Sequence, residues 1–246
     1  HSPEYVLEWI SRLSTEYPIR GLYFLDNNFL VDRERAADIC EKLIATGLHR
    51  KIKFAIQAGV SCIDPEIVKL LKKAGCILLE MGIETSSQAQ LDSVHKGTTV
   101  DMNRQALEMC RRAGLAAHAY LMQGFKGETM SDLERHLNWL KKAGNHFTVS
   151  MGMLQLYPGT QLYQKYGNSF FEENPWTEEA VTTYYQQDHL SAVSPAERSK
   201  WHKKYFKAAA RRRNRLAILR HNPPTLIFRL LLGKIWRRWS NIIIFY

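Results

Sequence analysis

Cysteine is scarce in this chain, with four residues among 246. Their separations of 22, 14 and 34 residues fit neither a zinc ribbon nor a CxxC redox pair. We therefore expect reduced, mostly buried thiols in a cytosolic protein. The four are Cys40, Cys62, Cys76 and Cys110.

Several common ligand and nucleophile motifs are also missing. The sequence contains no GxGxxG and no GxxxxGK[ST], so phosphate-cradling dinucleotide and P-loop sites have no support. It contains no GxSxG elbow, and its nine histidines are scattered, which argues against a hydrolase triad. Isolated histidines such as His95 and His118 are expected to be structural.

Acidic residues are absent from Arg198 onward, where 14 Lys and Arg side chains occur. Residues 1–197 consequently balance to −4, and the whole positive excess of the chain lies in its tail. The overall content, 45% hydrophobic and 24% charged, is typical of a globular protein. The start, His1-Ser2-Pro3-Glu4, lacks a signal peptide and resembles a cut within a longer protein.

Five short apolar runs alternate with helical patterns, which predicts parallel strands joined by right-handed crossovers. A closed barrel of this kind has eight strands, and the sequence contains only five strand–helix units. We therefore expect an α/β fold of the open, partial-barrel type over residues 1–167. A mostly helical, basic extension is expected over 168–246. The predicted strands are 21–25, 53–57, 76–81, 115–122 and 147–156; the predicted helices are 3–16, 32–45, 64–74, 100–113, 131–143 and 195–220.

Polar or glycine-bearing segments follow the strands, where parallel sheets keep their chemistry. The segment 26–28 either binds a ligand or caps the next helix. Glu84 either accepts hydrogen bonds from a ribose diol or belongs to a helix cap with Thr85 and Ser86. Between Gly124 and Gly127, missing Cβ atoms would let a ligand approach the backbone.

Taken in order, these segments resemble the radical S-adenosylmethionine (radical SAM) superfamily, particularly its cobalamin-associated branch. The resemblance covers about residues 1–165 and depends on the whole series, because each piece alone is weak. The series comprises segments 2–4, 23–29 (YFLDNNF), 64–66 (DPE), 74–76 (AGC), 82–84 (GIE), 96–97 (KG), 124–129 (GFKGET) and 157–160 (YPGT).

The resemblance implies a partial (β/α)6 barrel that binds a 4Fe-4S cluster and S-adenosylmethionine and generates a 5′-deoxyadenosyl radical. Asp26 and Asn27 then correspond to the motif that meets the methionyl amine. Gln57 and Glu84 face the ribose and methionine portion. Lys96 pairs with the methionine carboxylate. The adenosine side is lined by Tyr120 and Gly124.

Three departures from the family pattern stand out. The cluster loop, CxxxCxxC, is absent, and none of the four cysteines replaces it. We expect its ligands upstream, outside this chain, so that the fragment alone is inactive and contributes no metal ligand. Gly59 and Ser61 stand where the family commonly has Arg and Asp, and Lys126 stands where Pro is usual.

The tail carries a cation patch at 211–215 and then an amphipathic pattern. Apolar residues share one helical face, and basic residues occupy the other half. Three interpretations remain: an anchor on an anionic membrane surface, a terminal helix packed against the barrel, and RNA binding, for which no module signature is visible. The apolar residues are Phe228, Leu231, Leu232, Ile235 and Trp239; the basic ones are Arg229, Lys234, Arg237 and Arg238.

The leading hypothesis is a radical SAM enzyme core for methyl transfer or rearrangement on a small or lipid-like metabolite. We expect this enzyme to be cytoplasmic and peripheral to the inner face of the membrane. Cobalamin is expected as a further cofactor, and flavodoxin or ferredoxin as the electron donor. One alternative is an RNA methylthiotransferase, although the helical tail argues against the β-barrel appendage it needs and nucleic acid is a disfavoured partner. Another is a non-catalytic α/β module that binds a nucleotide-like ligand and docks on a membrane or acidic partner.

Overall fold

In the computed structural model of the chain, residues 1–144, 146–166, 177, 179 and 190–209 are described, with the backbone of 242–245. Strands and helices alternate along the chain as the sequence predicts. The elements are α1 (Pro3–Glu16), β1 (Gly21–Phe24), α2 (Arg33–Ala45), α3 (Leu48–Lys51), β2 (Lys53–Gln57), a 3-10 turn (Val60–Cys62), α4 (Pro65–Lys73), β3 (Cys76–Glu84), α5 (Gln88–Ser93), α6 (Val100–Ala113), β4 (Ala116–Gln123), α7 (Met130–Lys142), β5 (Phe147–Met153), α8 (Gln161–Tyr166), α9 (Pro195–Ala209) and β6 (Ile242–Phe245).

Side-chain caps fix the starts of the main helices. Each of five N-cap residues accepts a hydrogen bond from a backbone N–H of the first turn, which satisfies a donor that the helix itself leaves free. α6 ends at Gly114, whose φ of 64° is left-handed and suits glycine. The N-caps are Ser2, Asp32, Asp64, Thr99 and Thr129.

The sheet is parallel and has six strands in the order β5-β4-β3-β2-β1-β6, so its first five strands follow one another in chain order and β6 lies beside β1. Since the order of β1 to β5 never reverses, right-handed crossovers place the helices that connect them on the same face. That face carries the core, in which apolar side chains of the strands pack against α2, α4, α6 and α7. The opposite face is free to line a cavity, as in a barrel. This confirms the expected fold class.

The face opposite the helices differs sharply from the core face. Alternation along each strand sends one set of residues to the core and the other to the opposite side. On β3 the core side receives Leu79, Met81 and Ile83, each at most 1% exposed, whereas Glu80 and Glu84 take the other side. We call this second surface the concave face. It also carries Tyr23, Gln57, Gly82, His118, Tyr120, Thr148, Ser150 and Gly152.

The basic tail is partly structural. Its first helix, α9, packs against α7 and inserts Trp201 and Tyr205 into the main core, 1% and 0% exposed. Their rings stack with centroids 5.1 Å apart. The helix predicted over 195–220 is therefore observed as far as residue 209, and 210–220 lie outside the described residues. The cation patch at 211–215 and the amphipathic pattern at 228–239 lie outside the described residues.

Elements that the sequence patterns missed are mostly short. α3, α5 and α8 span four to six residues, too few for a periodic pattern. β3 runs to Glu84 rather than ending at Met81, and β5 ends at Met153 rather than at Leu156. Within the extension, which was expected to be mostly helical, Ile242–Phe245 form a strand, β6, and pair in parallel with β1. Within the described residues, no helix is both long and apolar enough to span a membrane.

The packing of α9 leads to a stability prediction. Trp201→Ala removes a buried indole and should lower the free energy of unfolding by about 3–5 kcal/mol. Phe206→Ala, on the same helix at a side chain 55% exposed, should change it by less than about 0.5 kcal/mol. Urea denaturation followed by circular dichroism measures both. Equal effects of the two variants would contradict the docking of α9.

Candidate active site

An ion pair stands at the carboxyl end of β3. Lys96 Nζ donates to Glu84 Oε1 at 2.7 Å, and the two side chains are 31% and 15% exposed. The pair joins the last residue of β3 to the loop that follows α5. The Glu84 carboxylate can accept hydrogen bonds from the hydroxyls of a diol, and the Lys96 ammonium can pair with a carboxylate. The pair therefore suits a ligand that carries both groups.

Gly82 makes room for this pair. A Cβ at Gly82 would lie 2.3 Å from Glu84 Oε1 and 3.0 Å from Lys96 Nζ, closer than van der Waals contact allows. The register between β3 and β4 also shifts between Gly82 and Glu84, and such a bulge redirects the side chain that follows it. The glycine and the bulge together set the direction of the Glu84 carboxylate.

The backbone at the pair is strained. Among the described residues, Glu84 and His95 are the non-glycine positions with positive φ, at 60° and 51°. Glu84 belongs to the ion pair, and His95 directly precedes its partner Lys96. Left-handed φ at such residues costs free energy and concentrates at functional sites.

Two buried side chains hold the strained segment in place. Asn103 Nδ2 donates to Ile83 O at 2.9 Å, just before Glu84. On the other side, Ser86 N donates to His136 Nδ1 at 3.3 Å. Burial lowers the pKa of His136 to about 4, so its imidazole stays neutral at physiological pH and can accept that bond.

The predicted ligand residues that follow β1 make their contacts elsewhere. Asp26 lies 3.7 Å from Arg35 in an ion pair and lines a cleft against α1, beside Tyr5. Asn27 is exposed. Their neighbour Asn28 accepts from Gly59 N at 3.1 Å and thereby ties the ends of β1 and β2 together. The structure therefore groups Glu84 with Lys96 but shows no contact of Asp26 or Asn27 with that pair; their proposed ligand role stays a prediction.

Gln57 and Tyr120 enter one hydrogen-bond network on the concave face. Gln57 Nε2 donates to Tyr23 Oη at 2.8 Å. The Tyr23 hydroxyl donates to Glu80 Oε2 at 2.7 Å, and the Tyr120 hydroxyl donates to the same oxygen at 2.5 Å. Burial, with the bond to Glu80, raises the pKa of Tyr23 to about 12 and raises that of Tyr120 as well, so both hydroxyls remain donors.

The loop after β4 is held by an ion pair and hydrogen bonds to α9, the first helix of the tail. Gly124, predicted to line the adenosine side, has φ 89° and donates its N–H to Glu128 Oε2 at 2.8 Å. The same carboxylate oxygen lies 3.1 Å from Arg198 Nη1, with both side chains buried. Arg198 also donates to Gln123 Oε1 at 3.1 Å. A cation of the basic tail thus neutralises a carboxylate inside the loop.

Lys126, the departure from the usual Pro, stands over a second cleft. Its ammonium lies 4.9 Å from the ring centroid of Tyr166, a cation–π contact. The cleft measures ≈ 710 Å³ and lies between the end of α5, the Gly124–Gly127 loop and α8. It adjoins the loop that carries Lys96, because His95 lines it.

An iron–sulfur cluster does not fit the described residues. Cys40, Cys76 and Cys110 are buried in the core, where desolvation raises the pKa of each thiol, to about 12 for Cys40 and Cys110. Cluster ligands are thiolates, which this environment disfavours. Within the described part of the chain, no three His, Cys, Asp or Glu side chains are grouped as metal ligands.

Sequence reasoning missed Glu80 and the Glu128–Arg198 pair. Glu80 could have been found from alternation, since it is two residues from Gly82 and four from Glu84 on one strand. The Glu128–Arg198 pair joins residues 70 positions apart, and the charge pattern of the tail gave no signal that Arg198 is buried.

Comparison with known proteins covers the same region. Residues 1–140 match the profile of the Radical SAM superfamily. An uncharacterized methyltransferase of Pyrococcus horikoshii is 31% identical over 167 residues, which is 67% of this chain and 35% of that protein. The anaerobic magnesium-protoporphyrin IX monomethyl ester cyclase of Cereibacter sphaeroides is 29% identical over 169 residues, 66% of this chain and 27% of that protein.

A solved structure shares the fold. The radical S-adenosylmethionine methyltransferase TsrM of Kitasatospora setae, determined with cobalamin and a [4Fe-4S] cluster bound, superposes with a TM-score of 0.60 at 18% identity. The match covers 70% of this chain and 34% of TsrM. The chain therefore spans about a third of the length of such relatives.

Gly82 provides a direct test of the ion pair. Gly82→Ala should push Glu84 and Lys96 apart and weaken S-adenosylhomocysteine binding about tenfold or more, the value of one charge-assisted hydrogen bond. Gly152→Ala is the matched control, because a Cβ there meets only Leu121 O at 4.0 Å. Calorimetric titration compares the two. If Gly82→Ala bound S-adenosylhomocysteine with unchanged affinity, the Glu84–Lys96 pair would not be part of the ligand site.

Proposed function

The chain belongs to the radical SAM superfamily, and on that basis we propose that it is the S-adenosylmethionine-binding part of an enzyme that methylates or rearranges a small metabolite. The observation that carries the proposal is the Glu84–Lys96 pair on a strained strand end, in space that Gly82 leaves open. Buried Asn103 and His136 fix that strand end in advance of any ligand.

The side chains present suit the cofactor chemically. Glu84 is the acceptor for the ribose hydroxyls, and Lys96 is the cation for the methionine carboxylate. Gln57 and Tyr120 lie on the same concave face, while Gly124 offers close approach to the backbone on the adenosine side. Asp26 and Asn27 are proposed for the methionyl amine, which requires Asp26 to leave Arg35. Bound next to a reduced cluster, S-adenosylmethionine supplies a 5′-deoxyadenosyl radical.

The cluster ligands are proposed to lie in a segment outside these residues. Two observations support this: three of the four cysteines are buried thiols and Cys62 is half-buried, and the chain spans about a third of the length of its relatives. We propose a flavodoxin or ferredoxin as the electron donor and cobalamin as a further cofactor. The cobalamin proposal is supported by the fold shared with TsrM, whose structure contains cobalamin.

The substrate is proposed to be a small or lipid-like molecule rather than nucleic acid. The name of the Cereibacter relative refers to a porphyrin ester, a compact organic substrate. The concave face is compact, and the described part of the extension consists mainly of α9, which packs on the barrel. A methylthiotransferase on RNA would need a β-barrel appendage in place of that helix.

For the tail we propose contact with an anionic membrane surface through residues 222–246, supported by their amphipathic sequence. In flotation with phosphatidylglycerol vesicles, the intact chain should float, and a chain without 222–246 should not. Because β6 pairs with β1, the deletion is checked for folding by circular dichroism. A folded deletion variant that still floats would sink this proposal.

The enzymatic proposal is tested with the gene product that includes the cluster-binding segment, reconstituted anaerobically and reduced with dithionite. Formation of 5′-deoxyadenosine is expected. Glu84→Ala should reduce it at least about tenfold, because a hydrogen-bonding anion at the ribose is lost. Glu66→Ala is the control, at a side chain 91% exposed and far along the chain from the pair.

Cluster formation without 5′-deoxyadenosine in the wild type would contradict a radical enzyme and favour a non-catalytic ligand-binding module. Equal activity of Glu84→Ala and wild type would leave the family chemistry in place but overturn the assignment of Glu84.

A further inference from the structure

Glu80 is a carboxylate on the floor of the concave face, 9% exposed. It lies on β3, on the same side as Glu84 and four residues earlier, hence about 13 Å deeper along the strand. The Glu84–Lys96 pair at the strand end and the Glu80 carboxylate are therefore separate features of one face of the sheet.

The two oxygens of this carboxylate have different surroundings. Oε2 accepts both tyrosine hydroxyls, from Tyr23 at 2.7 Å and Tyr120 at 2.5 Å. Among the described residues, no group donates to Oε1, and no lysine, arginine or histidine forms a salt bridge with Glu80. Oε1 is also not among the buried side-chain atoms that lack a hydrogen-bond partner, so it is accessible to solvent.

The surrounding groups hold Glu80 in one orientation. Gln57 donates to the Tyr23 hydroxyl from below the rim. The ring of His118 packs edge-on against Tyr120 with centroids 4.7 Å apart, and its two nitrogens lie 2.7 Å from Thr148 Oγ1 and 3.0 Å from Ser150 Oγ. A carboxylate that is already held in one orientation loses little conformational entropy when it binds a ligand.

A carboxylate this buried, with two neutral donors and no cation, lacks part of the compensation that burial of charge requires. A ligand that brings an N–H donor or a cationic nitrogen to Oε1 would supply it. Tyr120 is 37% exposed, so its ring is also available to stack against an aromatic ligand. A purely apolar lipid would leave Oε1 desolvated and unmatched.

We propose that Glu80 is the substrate anchor: its Oε1 accepts a hydrogen bond from an N–H or cationic nitrogen of a planar substrate, beneath the cofactor residues at the rim. The inference rests on the proposed function for its setting, and it narrows the substrate class to molecules that carry such a donor. Tyr23 and Tyr120 are positioning residues, which aim Oε1 by holding Oε2.

The test uses two bicyclic probes with the 246-residue chain, indole as donor and quinoline as acceptor, followed by ligand-detected NMR titration at pH 8. Wild type should bind indole at least about tenfold more tightly than quinoline. In Glu80→Gln the amide carbonyl takes the two tyrosine hydroxyls, so the amide N–H group faces the cavity. The preference should then reverse.

Glu66→Gln is the matched control, because this carboxylate of α4 is 91% exposed and lies outside the concave face, and it should retain the preference for indole. Circular dichroism verifies that every variant is folded. No preference in wild type, or no change in a folded Glu80→Gln, would overturn the inference. The titration needs neither cluster nor S-adenosylmethionine, so its failure and a failure to form 5′-deoxyadenosine are distinguishable.

Discussion

The chain order of the strands is the constraint on which the rest of the molecule depends. Because β1 to β5 succeed one another without reversal, every crossover helix lies on one side, and the main apolar core forms there. The other side is left for polar groups. β3, in the middle of these five strands, contributes three positions to this side: Glu80, Gly82 beside the ion pair, and Glu84 at the carboxyl end of the strand. The same alternation that buries Leu79 in the core therefore presents a line of functional positions to the cavity.

Two buried polar contacts connect the outer layer to this cavity. His136 of α7 holds the segment after Glu84, and Arg198 of α9 holds the Glu128 carboxylate, which in turn binds Gly124 N. Breaking a buried pair leaves an uncompensated charge, which costs several kcal/mol. The beginning of the basic tail therefore determines the shape of a loop at the site, and part of the positive charge of the tail has a structural use inside the fold.

The sequence predicted the repeated strand–helix units well, because each combines a buried apolar run, a capping side chain and a terminal glycine; Thr99, Val100–Ala113 and Gly114 show all these signals for α6. It placed Glu84 and Lys96 correctly at a strand end and in the following loop. It missed contacts that depend on folding in three dimensions. Nothing local shows that Asp26 turns to Arg35, that Tyr23 and Tyr120 meet on one oxygen of Glu80, or that Arg198 is buried.

The central claim is that the carboxyl ends of these strands, centred on Glu84 and Lys96, bind S-adenosylmethionine. The most direct measurement is a crystal structure of the anaerobically reconstituted protein with S-adenosylmethionine. Electron density for the cofactor should contact Glu84 and Lys96, with Lys96 at the methionine carboxylate. Density in the cleft between α1 and Asp26 instead, with the Glu84–Lys96 bond undisturbed, would contradict the claim.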